Sequence, residues 1–380
     1  MILVSDEKSS PGTLKAVFPG KYIQGEKALT ELPFLVELLG NRGLILASPT
    51  TCSNVLPKYC LKEREDWIEI ETFRGECCMS EVERLEKIVH HKKIDVLVGM
   101  GGGKTIDTAK IVADRINIPV IVVPTIASTD APCSGCAVVY SEEGVFQSVY
   151  YLKMNPQVVL VDLDIIASAP TRFLVAGMGD ALATWFEARS CKKSGSANEC
   201  GGYSTLTALS IARLCYDTLL RFGPAAKEAC DQYLVTPQLS CIVEANTLMS
   251  GLGFESSGLA AAHSIHNGMT VLEETHAYYH GEKVAFGVLA GLFLTHAPEA
   301  EKKTVYGFCE KIGLPTTLAD IGIHEIDRER LMAVAVKACV PQEGIHHERV
   351  KITPKKVLNA ILAADEYGRN RKQLPLQYKF

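Results

Sequence analysis

The 380-residue chain lacks a long basic run, an internal repeat, a low-complexity segment and any apolar stretch near the roughly twenty residues that a membrane helix needs. Each absence removes a class of function. A formal net charge of -5 and a pI near 6.1 argue against nucleic acid or an anionic membrane as partner, since both select clustered Lys and Arg. Solenoid and linker readings fail for want of a repeat. The opening Met1-Ile2-Leu3-Val4-Ser5-Asp6-Glu7 has no positive stretch and soon meets an acidic pair, so the expectation is a soluble cytoplasmic protein with no signal peptide. Thirteen cysteines are thinly spread, and Cys77-Cys78 is vicinal rather than spaced as a zinc knuckle. They read as mostly reduced, buried thiols.

Two common nucleotide fingerprints are also missing. Gly99-Met100-Gly101-Gly102-Gly103-Lys104-Thr105 is not a P-loop, because GxxxxGK[ST] requires glycine where Val98 stands. GxGxxG fails as well, since Lys104 occupies its last position. What remains is still informative. The strand-like Ile94-Asp95-Val96-Leu97-Val98 precedes the glycines and an amphipathic run follows them, which spells strand, glycine turn, helix. Glycines let a backbone approach a ligand, and a helix start offers unpaired N–H groups to a phosphate.

The first half alternates such elements. Gly43–Ala47, Trp67–Glu71 and Pro119–Pro124 read as strands, and Ser80 with Glu83 reads as a capping box opening a helix through His90. Strands separated by helices imply parallel βαβ units, with ligands at the carboxyl ends of the strands. Beyond about residue 170 the pattern turns helical, over Ser204–Phe222, Pro237–Leu252 and Gly281–His296 among others. The chain exceeds the size at which one core stops growing. The expected organisation is α/β: a Rossmann-like, doubly wound parallel sheet domain over 1–170, then an all-α domain over 171–380, with the active site in the cleft between them. The first seventeen residues and the tail past Gly368 are expected to be flexible or lightly packed.

The helical half carries a second chemical signal. Gly177-Met178-Gly179-Asp180, His263-Ser264-Ile265-His266 and His276-Ala277-Tyr278-Tyr279-His280-Gly281-Glu282 hold one carboxylate and several histidines. One Asp and two His suit a divalent metal with an open coordination position. His263 and His266 follow the small-residue run Gly258–Ala262, where close packing forces polar groups to find partners. The remaining pairs, His90-His91 and His346-His347, and the isolated His296 and His324 read as structural or solvated.

Gly101–Lys110, Pro124–Ser134, Gly179–Ala188 and His280–Gly287, with the opening Pro19–Gly25, resemble the glycerol dehydrogenases of the metal-dependent, iron-containing alcohol dehydrogenase superfamily. The resemblance runs from about residue 19 to Gly368. It implies that Asp180, His263 and His280 hold Zn²⁺, with His266 beside the site and His276 in a supporting role. It implies an NAD diphosphate on Gly102, Gly103 and Lys104, with Thr105 and Asp107 nearby. Thr125, Ser128, Ser134, Cys136 and Tyr140 match further cofactor positions, Cys136 standing where relatives often carry Leu. Asp130 matches the residue that approaches a polyol hydroxyl, and His266 is assigned the passage of the released proton.

The implied reaction is reversible oxidation of glycerol to dihydroxyacetone, with related 1,2-diols accepted and a homo-oligomer, commonly an octamer, as the assembly. One departure concerns the cofactor. Ser48 stands where the family usually has an acidic residue for the ribose 2′-hydroxyl, so NADP becomes possible beside NAD, with Lys58 or Lys62 able to reach its phosphate. Other readings are a related polyol or glycerol-phosphate dehydrogenase and a metal- and nucleotide-binding protein without turnover. The former needs basic residues about the phosphate, and the segments flanking Asp180, His263 and His280 show little beyond Lys283.

Overall fold

The structure, a computed structural model, describes residues 12–59 and 67–373. By the internal contacts of its described residues the chain forms two units, one of the described residues within Val17–Phe173 with Glu228–Gly251, the other of Leu174–Lys227 with the described residues from Leu252 onward and the described part of Glu7–Ala16. This division is discontinuous, whereas the sequence pattern suggested a single boundary at 170.

The first unit is built on six parallel strands: β1 (Lys21–Gly25), β2 (Gly43–Ala47), β3 (Ile68–Thr72), β4 (Val96–Gly101), β5 (Val120–Pro124) and β8 (Val158–Asp162), in the order β1-β8-β5-β4-β2-β3. Registers such as Ile45 opposite Val98 and Val98 opposite Ile121 lock the centre. β2, β4, β5 and β8 are buried at every position, as expected of parallel strands covered on both faces. Their Val, Ile and Leu side chains form the core with Leu29, Leu32 and Leu35. After β2 the chain moves outward to β3, then returns across β2 to β4. That reversal makes the carboxyl ends of β2 and β4 the topological switch point, where α/β sheets bind ligands.

Besides strands β1 and β8, two features of this unit escaped the sequence pattern. β6 (Cys136–Tyr140) and β7 (Phe146–Tyr151) make a separate antiparallel ribbon. Helix α8 (Pro237–Glu244) belongs with the sheet, because Gln24 of edge strand β1 donates to the Ser240 carbonyl and lies 2.9 Å from its hydroxyl, while the Tyr22 and Thr247 hydroxyls lie 2.8 Å apart. The capping box also fails: α3 spans Met79–Lys92 with Cys78 as its unsupported N-cap, so Ser80 lies inside the helix. The chain enters the helix early because the Cys78 carbonyl already accepts from Val82 N–H.

The second unit is helical among its described residues apart from isolated bridges. Its long helices include α6 (Thr171–Ser194), α7 (Leu206–Asp231), α10 (Ala261–Met269), α11 (His280–Leu294) and α14 (Pro354–Gln373). α11 packs very closely on two neighbours. A Cβ at Gly281 would collide with the Ala176 carbonyl of α6, and one at Gly287 would collide with the Ala262 carbonyl of α10. Glycine at these positions lets three helix backbones converge. The tail expectation is overturned as far as residue 373: α14 continues through Gln373, with Arg371 buried and bonded to Glu310 at 2.9 Å. Residues 14 and 15 are likewise tied down, as Leu14 bridges Tyr203 and Lys15 N–H donates to the Tyr203 carbonyl.

No helix among the described residues is long and apolar enough to cross a membrane. No described cysteine is in a disulfide, and Cys77, Cys78, Cys133, Cys191, Cys215, Cys230 and Cys309 are buried.

Candidate functional site

In the sheet unit, the glycine turn sits where β4 gives way to α4 (Gly103–Ile116). Gly102 is the N-cap, without a side chain to occupy the helix start, and a Cβ at Gly103 would meet nothing within 4 Å. The first-turn backbone N–H groups here lie at the positive end of a fourteen-residue helix. Thr125 N–H donates to the Gly101 carbonyl and Ser48 N–H to the Met100 carbonyl, which ties the ends of β5 and β2 to the same turn. Thr105 is buried beneath it and Ser128 is half-buried in the loop after β5.

Several residues matched to cofactor positions have structural partners. Lys104 Nζ lies 2.6 Å from Glu76 and 5.0 Å over the Tyr140 ring. Asp107 accepts from Val138 N–H at 2.9 Å and pairs with Lys110 at 3.1 Å. Lys110, fully buried, donates to the carbonyls of Ala131, Ser134 and Cys136. The Ser134 hydroxyl donates to the Ala131 carbonyl. One buried cation thus gathers the loop 131–136 that contains Ser134 and Cys136. Burial, with the Asp107 and Glu76 charges, pushes the Tyr140 phenol up to about 12, so it stays a neutral donor.

Asp130 is buried and accepts from the Ser250 hydroxyl at 2.8 Å. Ser250 opens α9 (Ser250–Ser257) immediately after a π-helical segment, Ala245–Met249. Asn246 within that segment donates to the Ala127 carbonyl. The wide helical turn therefore anchors the loop carrying Asp130 at two points. Ser48 is the N-cap of α2 (Pro49–Asn54), accepting from Thr51 N–H and lying 2.7 Å from the Thr51 hydroxyl. Lys58 is described, whereas Lys62 lies outside the described residues.

In the helical unit, Asp180, His263 and His280 come together, one ligand atom of each lying within 4.8 Å of the others. Asp180 Oδ1 is 3.4 Å from His263 Nε2 and 3.1 Å from His280 Nε2. Ligands held about 2.0–2.1 Å from a tetrahedral ion stand roughly 3.3 Å apart, so these spacings and this Asp/His/His donor set fit a divalent cation. Asp180 is buried and His280 is more than a third exposed, which leaves an open side to the cluster.

The surroundings orient each imidazole. His263 Nδ1 lies 2.6 Å from the buried Glu187, whose other oxygen accepts the N–H groups of Ala260 and His263. Burial opposes charge on His263, but Glu187 and Asp180 outweigh it and hold this imidazole well above its ordinary range. Burial also opposes charge on Asp180, and the two histidines reverse the effect, holding it well below the usual carboxylate range. His266 goes the other way: burial and its neighbours His280 and Lys283 hold it well below its ordinary range, hence neutral. His266 Nε2 is 3.1 Å from His280 Nδ1, and its Nδ1 is 3.0 Å from Asn267 Oδ1. His276 instead faces the Thr270 carbonyl, and His347 the Leu259 carbonyl.

Residues 19–163 match the iron-containing alcohol dehydrogenase family. A glycerol dehydrogenase of Thermotoga maritima is 53% identical over 359 residues, covering 94% of this chain and 98% of that protein. The chain belongs to the iron-containing alcohol dehydrogenase family. It is accordingly an oxidoreductase. The crystal structure of a probable glycerol dehydrogenase from Sinorhizobium meliloti superposes with a TM-score of 0.89 at 46% identity, covering 94% of this chain and 99% of that one. A glycolaldehyde reductase of Halobacterium salinarum is 41% identical, covering 92% of this chain and 97% of that protein.

Sequence reasoning passed over Glu187, although it lay inside a quoted motif. The available signal was its spacing: seven residues after Asp180 on one helix is two turns, hence the same face. Lys110 was quoted without a role. Glu343, which accepts from Asn267 at 3.0 and 3.1 Å, has no local signal at all.

Proposed function

We propose that this family member oxidises glycerol to dihydroxyacetone reversibly, using NAD and a zinc ion held by Asp180, His263 and His280. The observation that carries the reading is the Asp180 cluster, in which both histidines turn Nε2 toward one carboxylate oxygen. A divalent ion bound there would supply the positive charge that makes a hydroxyl of a 1,2-diol acidic near neutral pH, and a nicotinamide cofactor held at Gly102, Gly103 and Lys104 would supply the hydride acceptor.

The chain's own residues do the rest. Asp180 contributes a negative charge and His263 and His280 neutral donors, which leaves room beside them for a substrate's two oxygens. Asp130, oriented by Ser250, accepts a substrate hydroxyl and favours the chelating pose. Gly102 and Gly103 offer backbone N–H groups to the cofactor diphosphate, and Lys104 moves from Glu76 to meet its charge. His266, with both ring nitrogens near side-chain partners, serves to hold His280 rather than to carry the proton away. The proton lost from the alcohol goes to solvent on the open side of the cluster.

NAD rather than NADP is the cofactor proposed, and the β2 terminus supports it. The Ser48 hydroxyl is engaged by Thr51, and no arginine lies between residues 43 and 59 to grip a 2′-phosphate. The Halobacterium salinarum relative favours a wider substrate range, since reducing glycolaldehyde yields ethane-1,2-diol, also a vicinal diol. A homo-oligomer is the proposed assembly. The test is a diol panel with NAD and NADP, with the product identified. Glycerol, ethane-1,2-diol and propane-1,2-diol should be oxidised and propane-1,3-diol poorly; a preference for isolated alcohols or for NADP would sink the corresponding part.

A further inference from the structure

A histidine ligates through one ring nitrogen only, and that nitrogen must carry no proton; the hydrogen bond made by the other nitrogen chooses the tautomer. Both proposed ligands turn Nε2 toward Asp180, so both need the proton on Nδ1. For His263 the choice is direct. Glu187 Oε1 is committed to the N–H groups of Ala260 and His263, which aims Oε2 at Nδ1. A carboxylate only accepts, so Nδ1 donates.

For His280 the neighbour is another imidazole, which could donate or accept. The ambiguity is resolved further along. Glu343 accepts from the Asn267 amide nitrogen through both oxygens, so the Asn267 oxygen faces His266 Nδ1, which must donate. His266 Nε2 is then an acceptor, and the atom opposite it is His280 Nδ1. His280 Nε2 is left bare.

We propose that Glu187, and the chain Glu343–Asn267–His266, are positioning residues that impose the same metal-binding tautomer on His263 and His280. This rests on the metal reading above. It differs from a packing role, because charge and hydrogen-bond polarity matter more than shape. In Glu187→Gln the amide oxygen can still accept the two backbone N–H groups, but its NH₂ faces Nδ1 and drives the proton onto Nε2. Asn267→Leu severs the second chain without touching the Glu187 contacts.

The test uses metal-stripped protein, checked by circular dichroism to be folded, titrated with Zn²⁺ against a chromophoric chelator and separately with Co²⁺ to record its visible spectrum. Glu187→Gln should weaken zinc binding about 10–100-fold and Asn267→Leu roughly tenfold, with altered Co²⁺ bands. Glu187→Asp, which keeps an acceptor on a shorter arm, should bind more tightly than Glu187→Gln. Wild-type affinity in folded Glu187→Gln, or an Asp variant weaker than the Gln variant, would overturn the proposal. If Glu187→Gln does not fold, Asn267→Leu decides by itself, wild-type affinity there being fatal. Wild-type protein that binds no ion would fail the metal reading and this inference together; binding unaffected by the variants would fail this inference alone.

Discussion

Gly281→Ala should separate the helices that bring Asp180 and His280 together. The added Cβ would overlap the Ala176 carbonyl oxygen, with the carbonyl carbon at 2.7 Å and the Asp180 nitrogen at 2.9 Å, against 3.4–4 Å for ordinary contact. These are backbone atoms on α6 and cannot swing aside. Relief therefore needs a helix shift of roughly 1 Å, and overpacking of this kind costs about 1–3 kcal/mol. Thermal unfolding of the metal-free protein should show a fall in Tm of roughly 1–4 °C. The same shift stretches the 3.1 Å Asp180–His280 spacing beyond a tetrahedral edge, so zinc affinity measured by chelator competition should fall at least tenfold. Gly291→Ala is the control. Its Cβ would meet only the Ala261 Cβ at 3.8 Å, so stability should hold or rise by the roughly 0.5–1 kcal/mol that alanine gains over glycine in a helix, and Tm with it. Equal Tm and zinc affinity in Gly281→Ala and wild type would refute the packing argument.

Three further outcomes follow from other contacts. Lys110→Met removes the cation from the three carbonyls and leaves Asp107 without it, so stability in urea should fall by about 3–5 kcal/mol and NAD affinity should weaken, with zinc binding intact. Ser48→Asp preserves the α2 N-cap and adds a carboxylate at the β2 terminus, so the NADP/NAD ratio of kcat/KM should drop at least tenfold; an unchanged ratio would remove the ribose from that position. Asp130→Asn keeps an acceptor for Ser250 but weakens the hold on a substrate hydroxyl, so kcat/KM for glycerol should fall about 10–100-fold while zinc content stays constant.

Much of the sheet unit was legible because buried parallel strands are continuous apolar runs, as in Leu44–Ala47 and Val120–Val123, and because glycines punctuate β4. The strand β4 nevertheless runs on through Gly99, Met100 and Gly101, where glycine had suggested the turn itself; sheet pairing overrides the local preference. The Cys136–Tyr140 ribbon was hidden by its role in the resemblance, which drew attention to single positions rather than to alternation. Pro237–Leu252 reads as helix correctly, yet the allegiance of its part up to Gly251 to the sheet unit depends on Gln24 and Tyr22, more than two hundred residues away. The same limit hid the supports of the candidate metal site. Asp180, His263 and His280 stand in motifs, but Glu187 meets His263 across 76 residues of sequence, and Glu343 reaches His266 only through Asn267. Hydrogen-bond polarity has no signature in spacing.

In the function proposed, Asp180, His263 and His280 hold one divalent ion on which glycerol oxidation depends. Metal content per chain should be measured alongside glycerol-dependent NADH formation, for wild type and His263→Ala, after stripping with a chelator and after adding back zinc or iron. The expected result is close to one ion per wild-type chain, activity lost on stripping and restored by zinc, and a folded His263→Ala chain with neither ion nor activity. A folded, active His263→Ala chain, or wild-type turnover that survives complete removal of metal, would contradict it.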